Sequence, residues 1–254
     1  MPKPAPRRYT LLKRETVTPN MLRLTFGGEG MQAFPADQES AYIKLMIPTG
    51  EAEDGTPRSA TRTYTVRRQR DDEIDVDVAM HEDAGPAAAW ARSANLGERL
   101  MIGGPGPVKR LPQAADWYLL VGDMTSLPAI GANLERLPAD AQGYAIIEVT
   151  SEVDIQWFDL PPAMRVNWLI NPNPGSDSER LVGALRDFDW LPGVPGIWVA
   201  CEFSAMRKLR RHLIDDRGVD KREMYISSYW KRGSSEDGHR VVKREDAERD
   251  TADT

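Results

Sequence analysis

The sequence predicts two domains of different class: a six-stranded antiparallel β-barrel over residues 1–114, then a parallel-sheet α/β domain over 115–233, with a charged C-terminal tail over 234–254. Three observations carry this. The first half is a series of short runs punctuated by Gly, Pro and Asp, the grammar of antiparallel strands. From Trp117 onward the apolar runs become continuous and alternate with helix-like segments, as strands buried on both faces of a parallel sheet require. A chain of 254 residues is long for one core and comfortable for two of about 100–150 residues each.

The barrel strands are expected at Tyr9–Thr16, Met21–Phe26, Ala41–Ile47, Arg62–Arg67, Glu73–Ala79 and Arg99–Ile102. The fifth alternates most clearly. Ile74, Val76, Val78 and Met80 share one face and Asp75 and Asp77 the other, which predicts a half-buried strand with its acids turned to solvent. Closing six such strands into a barrel removes exposed edges. Helical character appears in this half only at Ala87–Ala94. In the second half, strands are predicted at Trp117–Val121, Tyr144–Val149, Arg165–Ile170, Ile197–Cys201 and Met224–Ser227. Helices are predicted after Ser126, near Glu179–Arg186 and from Phe203, where Phe203, Met206, Leu209 and Leu213 fall near helical spacing. Thr125 or Ser126 suits an N-cap, and Pro128 suits the first turn. In the tail beyond Ser234 only Val241 and Val242 are apolar anchors, so partial helix with mobile last residues is expected.

Composition excludes several classes. Hydrophobic residues make up 41% and charged residues 28%, which excludes a disordered chain. No apolar run reaches the roughly 18 residues of a membrane span. The basic, proline-rich start, Met1 to Arg8, is not followed by an apolar h-region, so no signal peptide is expected. Net charge is −6, which predicts no bulk attraction to nucleic acid or to an anionic membrane. The one cysteine, Cys201, fits a reducing cytoplasm and reads as a buried small residue. His81, His212 and His239 are too scattered for metal-ligand spacing, so no metal site is predicted.

The chemistry concentrates between residues 62 and 90. Arg62 and Tyr64 share a strand face, so a cation and a flat ring can address two parts of one long ligand, and Thr65 adds a hydroxyl where the strand ends. Arg62-Thr63-Tyr64-Thr65 is also compatible with an ordinary amphipathic strand. Downstream, His81-Glu-Asp-Ala-Gly85-Pro86-Ala87-Ala88 turns into a helix whose small residues let backbone amides approach a phosphate; an ordinary helix entry would read the same. Together they supply what a flavin dinucleotide needs, and the chain reads as a flavoprotein reductase. Gly103–Pro107 carries two prolines and no following helix, which argues against a dinucleotide fingerprint. Lys109 and Arg110 just beyond it are candidate ligand cations. Gly122–Pro128 follows the first strand of the second domain, where open α/β sheets bind ligands, so Thr125 and Ser126 are candidate contacts to a nicotinamide dinucleotide. Ser227-Ser-Tyr229-Trp230-Lys231 ends the last strand with two aromatics and a cation. The basic flank Arg207, Lys208, Arg210 and Arg211 reads as a solvated helix face or as a 2′-phosphate site.

Taken jointly, Arg62-Thr-Tyr64-Thr65-Val, His81 to Trp90, Gly122-Asp-Met-Thr125-Ser126-Leu-Pro and Ser227-Ser-Tyr229-Trp230-Lys231 resemble the siderophore-interacting protein family of flavin-dependent ferric-siderophore reductases, across Tyr9 to about Arg232. The resemblance implies a ferredoxin-reductase-like fold, with FAD bound non-covalently by a β-barrel that is followed by a pyridine-nucleotide-type α/β domain. It implies that Arg62, Thr63, Tyr64, Thr65, His81, Gly85, Pro86, Ala87 and Ala88 hold FAD, with Thr65 near flavin N5, and that Thr125, Ser126 and Trp230 add cofactor contacts. It implies a ferric siderophore gripped by Lys44, Lys109 or Arg110, and Lys231. Many members carry Gly-Pro-Arg-Gly where this chain has Gly104-Pro105-Gly106-Pro107, so that arginine is missing. Electrons are expected from NADPH or NADH, or from ferredoxin, in a cytoplasmic enzyme. The competing readings are a general flavin reductase serving ferredoxin, flavodoxin or quinone, and a non-catalytic siderophore-binding module.

Overall fold

A computed structural model describes residues 5–52, 54–80, 85–112 and 114–252. His81, one of the expected cofactor contacts, lies outside the described residues. The chain divides into two compact units. The first comprises residues 1–109 with 131–135 and 153–158; the second comprises 110–130, 136–152 and 159–254.

The first unit is an antiparallel sheet of β1 (Arg7–Thr18), β2 (Met21–Gly27), β3 (Tyr42–Glu51), β4 (Pro57–Thr65), β5 (Arg68–Gln69), β6 (Glu73–Ala79) and β7 (Arg99–Gly103). Their order is β4-β3-β7-β1-β2-β6-β5. Seven strands therefore stand where six were expected. The extra one arises because the chain after β4 changes partner. Val66 N–H donates to Ala41 O and Arg67 N–H to Asp75 O, both at 2.8 Å, so the segment leaves β3, joins β6 and closes the sheet into a barrel. Ile43, Leu45, Phe26, Leu24 and Val76 fill its core, and α1 (Pro86–Ser93) packs Ala87, Ala88 and Ala91 against them.

The prediction for β6 needs correction on one face. Asp75 and Asp77 are as buried as the apolar residues between them, each 4% exposed. Asp77 accepts both arms of Arg23, at 2.6 and 2.8 Å. Asp75 accepts from Arg70 and from Thr25 Oγ1. Alternation reports two faces but not what covers the polar one, and here arginine stems cover it.

The second unit is a five-stranded parallel sheet in the order β10-β9-β8-β11-β12, formed by β8 (Trp117–Asp123), β9 (Gln142–Val149), β10 (Ala163–Ile170), β11 (Pro195–Glu202) and β12 (Met224–Trp230). The helices are α2 (Leu127–Leu134), α3 (Arg180–Arg186), α4 (Phe203–Arg211), which runs on through a π-turn at His212–Asp216, and α5 (Glu236–Ala252). β8 and β11 are fully buried along their length, as their unbroken apolar runs require. The strand order reverses between them, which creates the switch point of an open α/β sheet.

Most of the charged tail is helix. α5 docks on β12 because His239 Nε2 meets Ser228 Oγ at 2.8 Å and Lys243 Nζ donates to Ser228 O at the same distance. Asp246 then takes Arg207 and Arg210 of α4, at 3.2 and 2.7 Å. These ion pairs, with Lys208–Glu179, account for three of the four cations of the basic flank. Among the described residues no helix is long and apolar enough to cross a membrane.

Candidate functional site

In the first unit the site residues are set out by the pairing of β3 with β4. Tyr42 is registered with Thr65, Ile43 with Tyr64, Lys44 with Thr63 and Leu45 with Arg62. Directly opposed residues of an antiparallel pair project to the same face. Arg62 and Tyr64 therefore share the face of core residues Ile43 and Leu45, and Tyr64 packs on the core cluster that contains Ala87 and Ala88 of α1. Tyr42, Lys44, Thr63 and Thr65 share the other face. There Lys44 Nζ donates to Thr63 Oγ1 and lies 6.0 Å from the centre of the Tyr42 ring.

α1 starts at Gly85-Pro86, and no side chain caps it. Among the described residues a Cβ at Gly85 would meet nothing within 4 Å. A helix start without a side-chain cap, with an arginine and a tyrosine on a strand face of the same unit, fits the phosphates and flat ring of a flavin dinucleotide. The Gly104–Pro107 turn packs on β3, with Gly106 N–H donating to Tyr42 O at 2.8 Å. Lys109 is held by its backbone: its carbonyl accepts from Ser40 Oγ at 2.5 Å and from Asn133 Nδ2 at 3.1 Å.

In the second unit the switch point carries acids. Asp123 ends β8, Glu148 is its register partner near the end of β9, and Glu202 ends β11. All three are buried. Asp123 Oδ1 accepts from Thr125 N–H and Oγ1–H, at 2.9 and 2.6 Å. Its Oδ2 accepts from Glu202 N–H at 2.9 Å and Trp230 Nε1–H at 2.8 Å. Burial nevertheless pushes the Asp123 carboxyl above its ordinary range, against the pull of those donors. Glu202 caps α4 by accepting from Ser204 and Ala205 N–H. Burial raises Glu148 to about 7, with the Asp123 charge adding to the rise and Asn171 and Arg180 opposing it. Cys201 is fully buried, and burial with the surrounding acids pushes its thiol well up, so it is an inert core residue.

Thr125 and Ser126 thus have their hydroxyls engaged inside the turn. Ser126 is fully buried, its Oγ donating to Asp123 O at 2.9 Å and accepting from Asp123 N–H at 3.1 Å. Gly122 permits this, because a Cβ there would sit 2.1 Å from Ser126 Oγ and 2.6 Å from Ala200 O. Trp230 spends its indole N–H on Asp123, and Lys231 Nζ stands 5.1 Å over the Phe203 ring. The sequence reading missed Asp123 and Glu202 as the organisers of this turn. The available signal was an acid closing each of two apolar strands just before a helix. Among the described residues no three His, Cys, Asp or Glu side chains are grouped to hold a metal ion.

Two family models match the chain. The model described as siderophore-interacting FAD-binding domain covers residues 10–109, and that described as siderophore-interacting protein covers 115–233. The ferric vibriobactin reductase ViuB of Vibrio cholerae is 30% identical over 251 residues, spanning 92% of either protein. The crystal structure of the siderophore-interacting protein SipS from Aeromonas hydrophila superposes with a TM-score of 0.86 at 30% identity, over 97% of this chain and 100% of that one. A ferredoxin-NADP+ reductase of Plasmodium falciparum, at 12% identity with a TM-score of 0.62 over 88% of this chain and 96% of that one, shares the fold.

Proposed function

The chain belongs to the siderophore-interacting protein family, and on that premise we propose that it is a cytoplasmic FAD-dependent reductase releasing iron from ferric siderophores as Fe(II). The observation that carries this reading is the presence, within the unit matched by the FAD-binding model, of Arg62 and Tyr64 on one strand face, Tyr64 packed on the core that contains Ala87 and Ala88 of α1, a helix without a side-chain cap. In this reading Arg62 and the amides around Gly85–Ala88 hold the pyrophosphate, Tyr64 lies against the ring system, and Thr65 offers a hydrogen bond where the strand ends. His81 precedes the same helix entry in sequence. A bound flavin supplies the conversion of a donor's reducing equivalents into the single electrons that Fe(III) accepts. Lys44 and Lys109 of the first unit hold the anionic chelate by charge, so the protein itself has no need to ligate the iron. Hard oxygen donors bind Fe(III) far more tightly than Fe(II), so reduction is itself the release step.

The electrons come from NADPH or NADH, or from ferredoxin. The second unit offers a nicotinamide nucleotide the usual place for such a ligand, with Thr125, Ser126 and Trp230 around it. The start of α4, however, is already filled by the Glu202 carboxylate, where a dinucleotide phosphate would otherwise sit, and Asp123 holds the turn before α2 through Thr125. An anaerobic absorbance titration of the purified protein with NADH, NADPH and reduced ferredoxin in turn, followed by a ferric chelate and an Fe(II) trap, tests the whole reading. Bleaching by one donor and recovery of the yellow spectrum with trapped Fe(II) is the expected result. A protein that stays colourless with added FAD, or a reduced flavin that ferric chelates leave untouched, refutes it.

A further inference from the structure

The sheet of the second unit runs β10-β9-β8-β11-β12, so β9 is the second strand of an open α/β sheet with its first strand at the switch point. In sheets of that order an acid at the end of the second strand is placed to hold the ribose hydroxyls of a dinucleotide. Glu148 stands there, in register with Asp123 of β8 and Leu169 of β10. Beside it is an amide with a hydrogen bond to spare. Asn171, just past β10, is 4% exposed. Its N–H donates to Val149 O at 2.8 Å, and its Oδ1 accepts from Asn173 N–H at 3.0 Å. Its Nδ2 is buried and, among the described residues, completes no hydrogen bond, although the amide lies near enough to Glu148 to pull that carboxyl down against burial. A buried donor left without an acceptor is uncommon and points to a group that completes it.

Arg180 stands 4.0 Å from Glu148 Oε2, and its side chain is 40% exposed against 8% for Glu148. The carboxyl therefore lies behind a side chain that reaches solvent. A hydroxyl both donates and accepts, so Glu148 can take its proton while Asn171 Nδ2 donates to its oxygen. A 2′-phosphate has only acceptors to offer. It also brings negative charge towards Glu148, Asp123 and Asp177, whose charges act together here against Arg180.

We propose that Glu148 and Asn171 read the free 2′-hydroxyl of the electron donor's adenosine ribose, and so make the enzyme take NADH in preference to NADPH. The proposal rests on the reading in which a nicotinamide nucleotide reduces the flavin, and it names which of the two does so.

The test uses ADP-ribose and 2′-phospho-ADP-ribose, neither of which can reduce a flavin, so binding is read apart from turnover. The oxidised, FAD-loaded protein is titrated calorimetrically with each at pH 8, above the value of about 7 to which Glu148 is raised. Wild type should bind ADP-ribose the more tightly, by about tenfold or more. Glu148→Gln should lower that ratio about tenfold, chiefly by improving the phosphorylated ligand. Asn171→Leu should weaken ADP-ribose about tenfold. The melting temperature of each variant reports whether the unit is intact. Wild type that binds the two equally or prefers the phosphorylated ligand overturns the proposal, as does a ratio that Glu148→Gln leaves unchanged. Wild type that binds neither also overturns it and leaves reduced ferredoxin as the donor. The ferric-siderophore reading itself fails only on the flavin titration described above.

Discussion

Glu148 makes the stability of the second unit depend on pH in a way that can be isolated. Its carboxyl is raised to about 7 from an ordinary 4.5, chiefly by burial. The folded state therefore binds a proton that the unfolded state has released between those values, and stability falls as pH rises from about 4.5 to about 7. A displacement of that size corresponds to about 3 kcal/mol. His239 acts in the opposite sense. It is lowered to about 4 from 6.5, by burial first and then by Lys243 and Lys231. There the unfolded state holds the extra proton, so stability rises between about pH 4 and 6.5, again by about 3 kcal/mol. Across the shared window these two contributions oppose one another in the wild type. Glu148→Gln imitates the protonated carboxyl and removes one of them. Urea unfolding at pH 5 should find wild type and variant nearly equal. At pH 7.5 the variant should be more stable by about 3 kcal/mol, the gap opening as pH rises from 5. A difference between the two proteins that does not change from pH 5 to pH 7.5 refutes the assignment.

Three further outcomes follow from the hydrogen bonds and the proposed cofactor site. Arg62→Ala should weaken FAD at least tenfold in a fluorescence titration while leaving the circular dichroism of the barrel unchanged, because the side chain is only half-buried and a guanidinium contributes a charge-assisted hydrogen bond to a phosphate. Asp123→Ala strands four donors, on Thr125, Glu202 and Trp230, and should lower the unfolding free energy by roughly 3–5 kcal/mol in urea titrations. Asp246→Ala breaks the links from α5 to Arg207 and Arg210, so hydrogen exchange should rise in α5 and stay unchanged in the barrel.

The sequence was legible where a period or a punctuation mark has one physical cause. The unbroken runs at Trp117–Val121 and Ile197–Cys201 could belong only to strands covered on both faces, and both are fully buried. The alternation of Glu73–Ala79 located β6 to the residue. Covering was not legible: period 2 distinguishes the faces of β6, but the arginines that close over Asp75 and Asp77 lie on β2 and beyond the short β5. The same limit applies to the tail. Its charges suggested solvent, yet Asp246, His239 and Lys243 find partners on α4 and β12 that are distant in sequence. Arg62, Tyr64 and Thr65 could be singled out because their spacing on an extended strand already fixes which of them share a face.

What sequence could not supply is the direction in which a polar residue spends its hydrogen bonds, and this decides how the two units are read. On the barrel, among the described residues, the start of α1 has no side-chain cap. At the switch point the helix starts are satisfied from within, α2 behind the Asp123 turn and α4 by Glu202. A helix N-terminus attracts an anion only while its own amides lack one. In the proposed reading the first unit takes the phosphate-bearing cofactor at the start of α1, whereas in the second unit the Glu202 carboxylate already occupies the start of α4. An electron donor bound by phosphate contacts at those two helix starts would have to displace Asp123 from Thr125 and Glu202 from Ser204. A kinetic consequence follows. If NADPH is the donor and uses that place, Glu202→Gln should improve the rate constant for flavin reduction at low NADPH, because it removes a charge from the α4 start while keeping a cap. If reduced ferredoxin is the donor, the same substitution should leave flavin reduction unchanged. Stopped-flow absorbance at the flavin band, with each donor in turn, separates the two.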